Sequence, residues 1–488
     1  MTQQFVSAPY TWAQFSPSFA LVGLAMLLLM ADAFLPKFPR RGYALIAGIG
    51  ALMAACFQFS GEFANPFGLI ACVATGVSLL IAFDYTKVTC DSVTGGSNDD
   101  GTGEFYALPL VAAAGICVLS QAHDLIMLFV GLEVLTLTSY VLAGYYRRNQ
   151  GSVEAGVKYI ILGGVSTAIL CFGTAWYFGM TGSFVLAPFV IAETFTAASS
   201  PILSVGLMMS FALMLVGIAF KVGLAPMQMW IPDVYQGAPT PVSAFLAVAS
   251  KAAGLAALYA LLYPMLSLSA IFPAQLELLV LTISIIAAVT LIIGNLGAIK
   301  QQNAKRLLGY SSIGQAGFIL IFFLNPESDI FASVYAYMLA YALATLASFA
   351  AIALVRSQRG SEQIEVFRGL GKTNPRFAFA ITICMASLAG VPLTFGFLVK
   401  LNSFLSIVDA SVVGGQVNYL IYLLPIMLIT ASAGFYYYFK ILRAMYWEKP
   451  AAQDKPICVP LVSGLILTIC SLILLYRGVL ALLVDWKL

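Results

Sequence analysis

The stretch Phe220–Pro241, FKVGLAPMQMWIPDVYQGAPTP, sets a lysine, an isolated proline and then a Pro-Thr-Pro run into one apolar segment. A lysine at the centre of a membrane helix costs roughly 2.5 to 3.5 kcal/mol. Proline removes a backbone hydrogen bond that hydrocarbon cannot replace. Both are tolerated where protein or a water-filled cavity covers the freed backbone, so the stretch predicts a helix broken at Pro226 beside a functional charge, Lys221. Trp230 to Pro241 then reads as a turn into the next helix, since proline is favoured at a helix start.

The surrounding composition is that of a membrane protein. Of 488 residues, 61% are hydrophobic and 9% charged, with a mean hydropathy of +0.95. Apolar runs of about 20 residues recur from Phe19 to Leu483, each long enough to cross roughly 30 Å of hydrocarbon as a helix. They predict an all-α polytopic membrane protein with fourteen spans, at 18–36, 43–60, 66–84, 105–121, 124–144, 155–179, 204–229, 240–265, 277–298, 306–324, 330–355, 377–405, 417–443 and 456–483. The first run has no basic stretch before it and no small-residue cleavage site, so it is expected to be a retained helix rather than a signal peptide. The whole chain, 1–488, is expected to form a single membrane domain.

Charge follows topology. Eighteen of the 24 Lys and Arg residues, Lys305 and Arg306 among them, fall in loops after odd-numbered spans, and the opposite side holds only Arg477 and Lys487. That asymmetry predicts both termini on the outer side, and the net charge of +3 carries no implication of a nucleic-acid partner. Cys90–Glu104, rich in Gly, Ser and Asp, reads as a flexible surface connection. The eight cysteines are dispersed without a CxxC, and His123 is the single histidine, so no ligand set for an iron-sulfur cluster, haem or zinc is expected and the chain should bind no cofactor itself.

Four lysines remain inside the spans: Lys158, Lys221, Lys251 and Lys400. Together they cost about 10 kcal/mol before any partner compensates. Glu133, near the middle of the fifth span, is the natural partner for Lys221. Burial disfavours charge and a nearby opposite charge restores it, so a Glu and a Lys that control each other's protonation form the elementary unit of a proton relay. Lys158 follows Glu154 by four residues, a spacing that equally describes an ordinary ion pair near a helix end. Pro392, eight residues before Lys400, interrupts a second lysine-bearing span five helices after the first. Two Gly/Pro-interrupted segments at that offset point to inverted repeats. His123 and Asp124 read as a helix cap, and Phe435–Phe439, FYYYF, as packing or an interfacial belt.

The longer segment 220–254, FKVGLAPMQMWIPDVYQGAPTPVSAFLAVASKAAG, resembles the signature of the antiporter-like subunits of respiratory complex I, in the wording of their N type. SVEAGVKYIILGG, NAKRLLGYSSIGQAGF, SLAGVPLTFGFLVK and YYYFKILRAMY match in family order. The resemblance implies a proton-translocating subunit of an NADH-quinone oxidoreductase, a translocase with fourteen helices. Helices up to about residue 90 would precede two inverted five-helix repeats, helices 4–8 (about 105–265) and 9–13 (about 277–445), and a C-terminal helix at 456–483 would follow. Helices 7 and 12 would be the broken ones. It implies a relay of Glu133, Lys221, Lys251 and Lys400, with Lys158 on a lysine common in the N type. Where the family commonly has histidines this chain has Gln228 and Gln315. Glutamine cannot titrate, which leaves hydroxyls such as Tyr310, Ser311 and Ser312, or hydrated gaps, to carry protons there. NADH, FMN, iron-sulfur clusters and quinone would belong to other subunits, the K and M types would be the neighbours, and the site would be a bacterial inner membrane. The alternatives are a subunit of a cation/proton antiporter and a non-pumping assembly scaffold.

Overall fold

The computed structural model describes residues 10–35, 38–59, 65–93, 103–197, 201–268, 271–413, 416–450 and 456–483. Among them, twelve helices are long and apolar enough to cross a membrane, and two shorter apolar helices, Gly103–Leu119 and Pro375–Ala389, join them. Cys90 to Val93 continue the helix Pro66–Val93, which shortens the expected Cys90–Glu104 connection to 94–102, outside the described residues. A ten-residue helix, Pro188–Ala197, and a two-stranded antiparallel hairpin, Val412–Val413 with Gln416–Val417, are further elements that the apolar runs do not announce.

The bundle is graded from centre to rim. The span Ala304–Leu324 is 94% buried, whereas Trp12–Phe34 and Tyr419–Tyr446 are each 28% buried. Three spans therefore form the protein interior, namely Thr240–Leu266, Ala304–Leu324 and Ile330–Arg359, and the outer helices present apolar side chains such as Leu137, Ile161 and Leu428 outward. Small residues let the central helices touch. A Cβ on Gly294 would overlap the backbone of Gly314, so Pro273–Ile299 and Ala304–Leu320 pack closer than larger residues would allow.

Both predicted interruptions are present and are built alike, but each helix stops before its proline, at Gly223 rather than Pro226 and at Gly390 rather than Pro392. Pro201–Val222 ends at Gly223 in the left-handed conformation (φ 85°), with the amides of Gly223 and Leu224 both donating to the Ala219 carbonyl. Pro375–Ala389 ends at Gly390 (φ 86°), with the amides of Gly390 and Val391 both donating to Ala386. Only glycine takes that conformation freely, which is why each half-helix stops there. Backbone freed at the first break is repaired by neighbours: the Ala225 amide donates to Thr290 Oγ1 at 2.9 Å, and Trp230 Nε1 donates to the Phe220 carbonyl at 2.8 Å. The expectation of a turn from Trp230 to Pro241 is corrected, because Trp230–Gly237 is a helix and the turn is confined to Ala238 and Pro239. Its apolar residues Trp230, Ile231, Val234 and Tyr235 are buried, and that packing outweighs the local Pro and Gly signals.

Thr290→Val should remove the hydroxyl that pairs the Ala225 amide while keeping the side chain's shape. Leaving that buried amide unpaired is expected to destabilise by about 1 to 3 kcal/mol. Thermal unfolding of the purified assembly measures it, and an unchanged midpoint would refute the repair.

Candidate functional site

Glu133 lies on Leu125–Ala143, partly buried, and accepts a hydrogen bond from Thr167 Oγ1 at 2.8 Å. Lys221 is buried in the last turn of Pro201–Val222, where Nζ donates to the Tyr159 hydroxyl at 3.2 Å and stands 5.4 Å from that ring's centroid. Glu133 and Lys221, expected as partners, are not joined by a direct ion pair within 4.0 Å, and the Lys221 ammonium is bound by the Tyr159 hydroxyl. Aromatic side chains fill the neighbourhood. Tyr159 meets Tyr140 edge to face at 4.8 Å and stacks on Trp230 at 4.4 Å. Tyr140 lies seven residues after Glu133, on the same helix face, and its buried hydroxyl takes no protein partner. Two tyrosine hydroxyls thus accompany the carboxylate and the lysine.

Lys251 follows a five-residue π-helical turn, Leu246–Ser250, and begins the helix Lys251–Leu266. Its Nζ donates to the Ser312 carbonyl and lies 5.2 Å from the Tyr341 ring. Ser312 Oγ is 3.5 Å from the Tyr235 hydroxyl. The adjacent Ser311 shares a hydrogen bond with the Tyr438 hydroxyl.

Gln315 continues this line one turn further. Its Nε2 donates to the Tyr438 hydroxyl at 3.2 Å and to the Leu388 carbonyl at 3.1 Å, and its Oε1 accepts from the Tyr337 hydroxyl at 2.5 Å. Lys400, in the second turn of Phe395–Ser411, reaches back across the break, and its Nζ donates to the Leu388 and Ala389 carbonyls at 2.6 and 3.0 Å. The lysine therefore caps the half-helix that precedes it, and the Leu388 carbonyl is common to Lys400 and Gln315. A small cavity of about 10 Å³ between Gln315, Tyr337, Tyr341 and Lys400 has room for roughly one water molecule.

Not every predicted residue joins this row. Lys158 pairs with Glu154 and, at 2.8 Å, with Asp233, which also binds Arg306, and its side chain is 42% exposed at the end of the bundle that carries the basic residues. Tyr310 packs its ring near the Arg306 guanidinium instead of the serines. Gln228 is buried in the short 3-10 turn Met227–Met229 after the first break, and its Oε1 accepts no hydrogen bond from the protein. Asp124 is the helix cap that was expected, accepting from the amides of Ile126 and Met127, while His123 stacks on Tyr10 and burial pushes its imidazole below the usual range.

The reading of FYYYF as packing or belt divides along the helix: Tyr436 is exposed, as in a belt, and the two tyrosines after it are packed inside, where they also make polar contacts. Tyr437 and Tyr438 are fully buried, and Tyr437 donates to Asn295 at 3.1 Å. Tyr140, Tyr159, Thr167, Tyr337 and Tyr438 are the polar residues that sequence reasoning missed. A signal existed for Tyr140 alone, in its seven-residue spacing from Glu133.

Comparison with known proteins follows the same line. A family described as NADH:quinone oxidoreductase/Mrp antiporter, transmembrane, matches residues 122–423. NADH-quinone oxidoreductase subunit N of Geobacillus sp. (strain WCH70) is 35% identical over 96% of each chain. A chain of respiratory complex I from Thermus thermophilus superposes with a TM-score of 0.74 at 28% identity, covering 96% of this chain and 98% of its own. A chain of the Mrp complex from Dietzia sp. shares the fold, with a TM-score of 0.76 at 18% identity over 97% and 96% of the two chains. The chain belongs to the antiporter-like transmembrane family of NADH:quinone oxidoreductase and Mrp antiporters, with the subunit N proteins of NADH-quinone oxidoreductase.

Proposed function

We propose that this membrane-arm subunit moves protons along a row that runs from Glu133 and Lys221 through Lys251 to Lys400, driven by quinone reduction elsewhere in its complex. The observation that carries the reading is the bridge between the last two lysines. Lys251 binds the Ser312 carbonyl, Ser311 binds Tyr438, Tyr438 binds Gln315, and Gln315 shares the Leu388 carbonyl with Lys400.

Each partner has a definite task. Hydroxyls of Ser311 and Tyr438 can accept a proton on oxygen and release their own, so they pass protons on without storing charge. Gln315 cannot titrate, and it holds Tyr438 and Tyr337 in orientation. Lysine without a buried counter-ion exchanges its proton readily, because burial opposes its charge. At the other end, Tyr159 and Tyr140 would bridge Lys221 to Glu133, and a shift in that spacing would release a proton from Lys221 toward Lys251. Lys158 stands apart in the proposal, as a surface ion pair that steadies the Trp230–Gly237 helix through Asp233.

The wider architecture belongs to the same proposal. Counting each broken pair as one span gives fourteen, and the matching breaks support inverted repeats of helices 4–8 and 9–13. The basic residues favour both termini outside, in a bacterial inner membrane, with K and M type subunits as neighbours. Flavin and iron-sulfur chemistry belongs in this proposal to other subunits of the complex, in line with the antiporter-like family of this chain. The subunit N relatives favour this reading over a freestanding cation/proton antiporter or a non-pumping scaffold.

Lys221→Met in the assembled complex tests it. Reconstituted in vesicles, the variant should translocate fewer protons per electron, by whatever share passes through this chain. An unaltered ratio would sink the relay.

A further inference from the structure

At the basic end of the bundle a cavity of about 300 Å³ opens among Asn149, Glu154, Asp233, Arg306 and Arg356. Lys305 and Glu362 also line it. Counting charges put Lys305 with the loop lysines, but it lies within the span Ala304–Leu324, with 3% of its side chain exposed. Its Nζ sits 2.9 Å from Glu362 Oε1 and donates to the Ala238 carbonyl at 2.7 Å. Glu362, 5% exposed, also faces Arg356 at 3.4 Å and accepts from Thr240 Oγ1 at 3.2 Å.

A purely structural role accounts poorly for this group. Burying a charge pair costs several kcal/mol per ion, and an apolar pair of similar volume is often as stable. The loop that carries Glu362 is already fastened by backbone, with the Ala304 amide on the Glu362 carbonyl at 2.9 Å and the Ile364 amide on Gln302 at 2.8 Å. Position points to another task. Lys305 opens the helix on which Ser312 lies seven residues deeper, two turns or about 10 Å along one face, and the Ser312 carbonyl holds Lys251. Thr240, the hydroxyl on Glu362, opens the span that carries Lys251 itself.

We propose that the Lys305–Glu362 pair admits protons from this cavity to Lys251, an inference that rests on the proton-translocating reading above. A hydronium ion in the cavity protonates the Glu362 carboxylate and leaves as water. Lys305, its counter-charge cancelled, gives one ammonium proton inward across the Tyr235 and Ser312 hydroxyls to a neutral Lys251. The neutral Lys305 amine then takes the proton from Glu362, and both groups return to their starting forms with one proton carried inward.

The test compares Glu362→Gln, Glu362→Asp and the double variant Lys305→Gln/Glu362→Gln with Lys221→Met, all in the assembled complex, reading protons per electron in vesicles. Glu362→Gln keeps an acceptor for Lys305 and Thr240 but cannot carry a proton. It should fall to the level of Lys221→Met, and Glu362→Asp should recover most of the loss. The double variant removes both fully buried charges together and leaves Arg356 part-exposed in the cavity, so its assembly does not depend on an uncompensated ion in the interior, and it should fall to the same level. Wild-type ratios in Glu362→Gln or in the double variant, with Lys221→Met reduced, would overturn the admission pair and leave the relay standing. Wild-type ratios in every variant would overturn both.

Discussion

Lys400→Arg is expected to assemble with the cap on the break kept and to stop proton transfer, whereas Lys400→Met should stop transfer and also lose the donor to the Ala389 carbonyl. Arginine remains charged at any accessible pH and presents several N–H donors, so it can still cap the Leu388 and Ala389 carbonyls. It cannot give up a proton. The larger side chain has to be accommodated against Gly390, and such overpacking costs about 1 to 3 kcal/mol. Methionine fills the space but leaves the buried Ala389 carbonyl without its donor, at about 1 to 3 kcal/mol, while the Leu388 carbonyl keeps its bond from Gln315. The pair of variants therefore separates the cap from the proton carrier. Protons per electron in vesicles and thermal unfolding of the same preparations read the two roles independently, and a pumping Lys400→Arg would exclude proton release at this position.

Tyr438→Phe is expected to slow the transfer between Lys251 and Lys400 by roughly 100-fold, the lower range for loss of a positioned proton-transfer group. The change removes one oxygen from a fully buried ring and leaves Ser311 Oγ and one donor of Gln315 without their shared partner. Gln315 keeps its bonds to Leu388 and Tyr337, so the break stays capped. Time-resolved proton uptake and release across the vesicle membrane measures the effect. A similar loss in Ser311→Ala would place both hydroxyls in one path, while full activity in Tyr438→Phe would direct the path through the small cavity beside Tyr337 and Lys400 instead.

Much of the architecture was readable because the membrane imposes it. Apolar run length gives the spans, and Gly with Pro inside such runs gives the breaks at Gly223 and Gly390. Buried lysines stand out because each is expensive. The rest depended on which way a helix faces, and here the pattern is silent: lipid and protein interior are both apolar, so helices such as Leu125–Ala143 show little contrast between faces. Glu133 and Lys221 pair on depth alone, and the group that binds the Lys221 ammonium, Tyr159, comes from a third helix. Tyr436 and Tyr438 are chemically identical neighbours, one facing outward and one meeting Ser311, and nothing local distinguishes them. Lys305 sits beside Arg306 in a stretch that reads as a basic loop end. Its burial comes from Glu362, 57 residues later. Trp230–Gly237 is helical through packing that its own proline and glycine do not advertise.

The π-helical turn Leu246–Ser250 means that Lys251 is addressed by counting. Each residue of a helix advances its side chain by about 100°, and a π turn absorbs one more residue than the α-helical path around it. The five residues involved, Leu, Ala, Val, Ala and Ser, are buried and unremarkable as side chains, yet their number aims the lysine at the Ser312 carbonyl. Losing any one of them would leave the composition of the span almost untouched and swing Lys251 about a quarter-turn off its target. For this helix, length is as much a part of the message as identity.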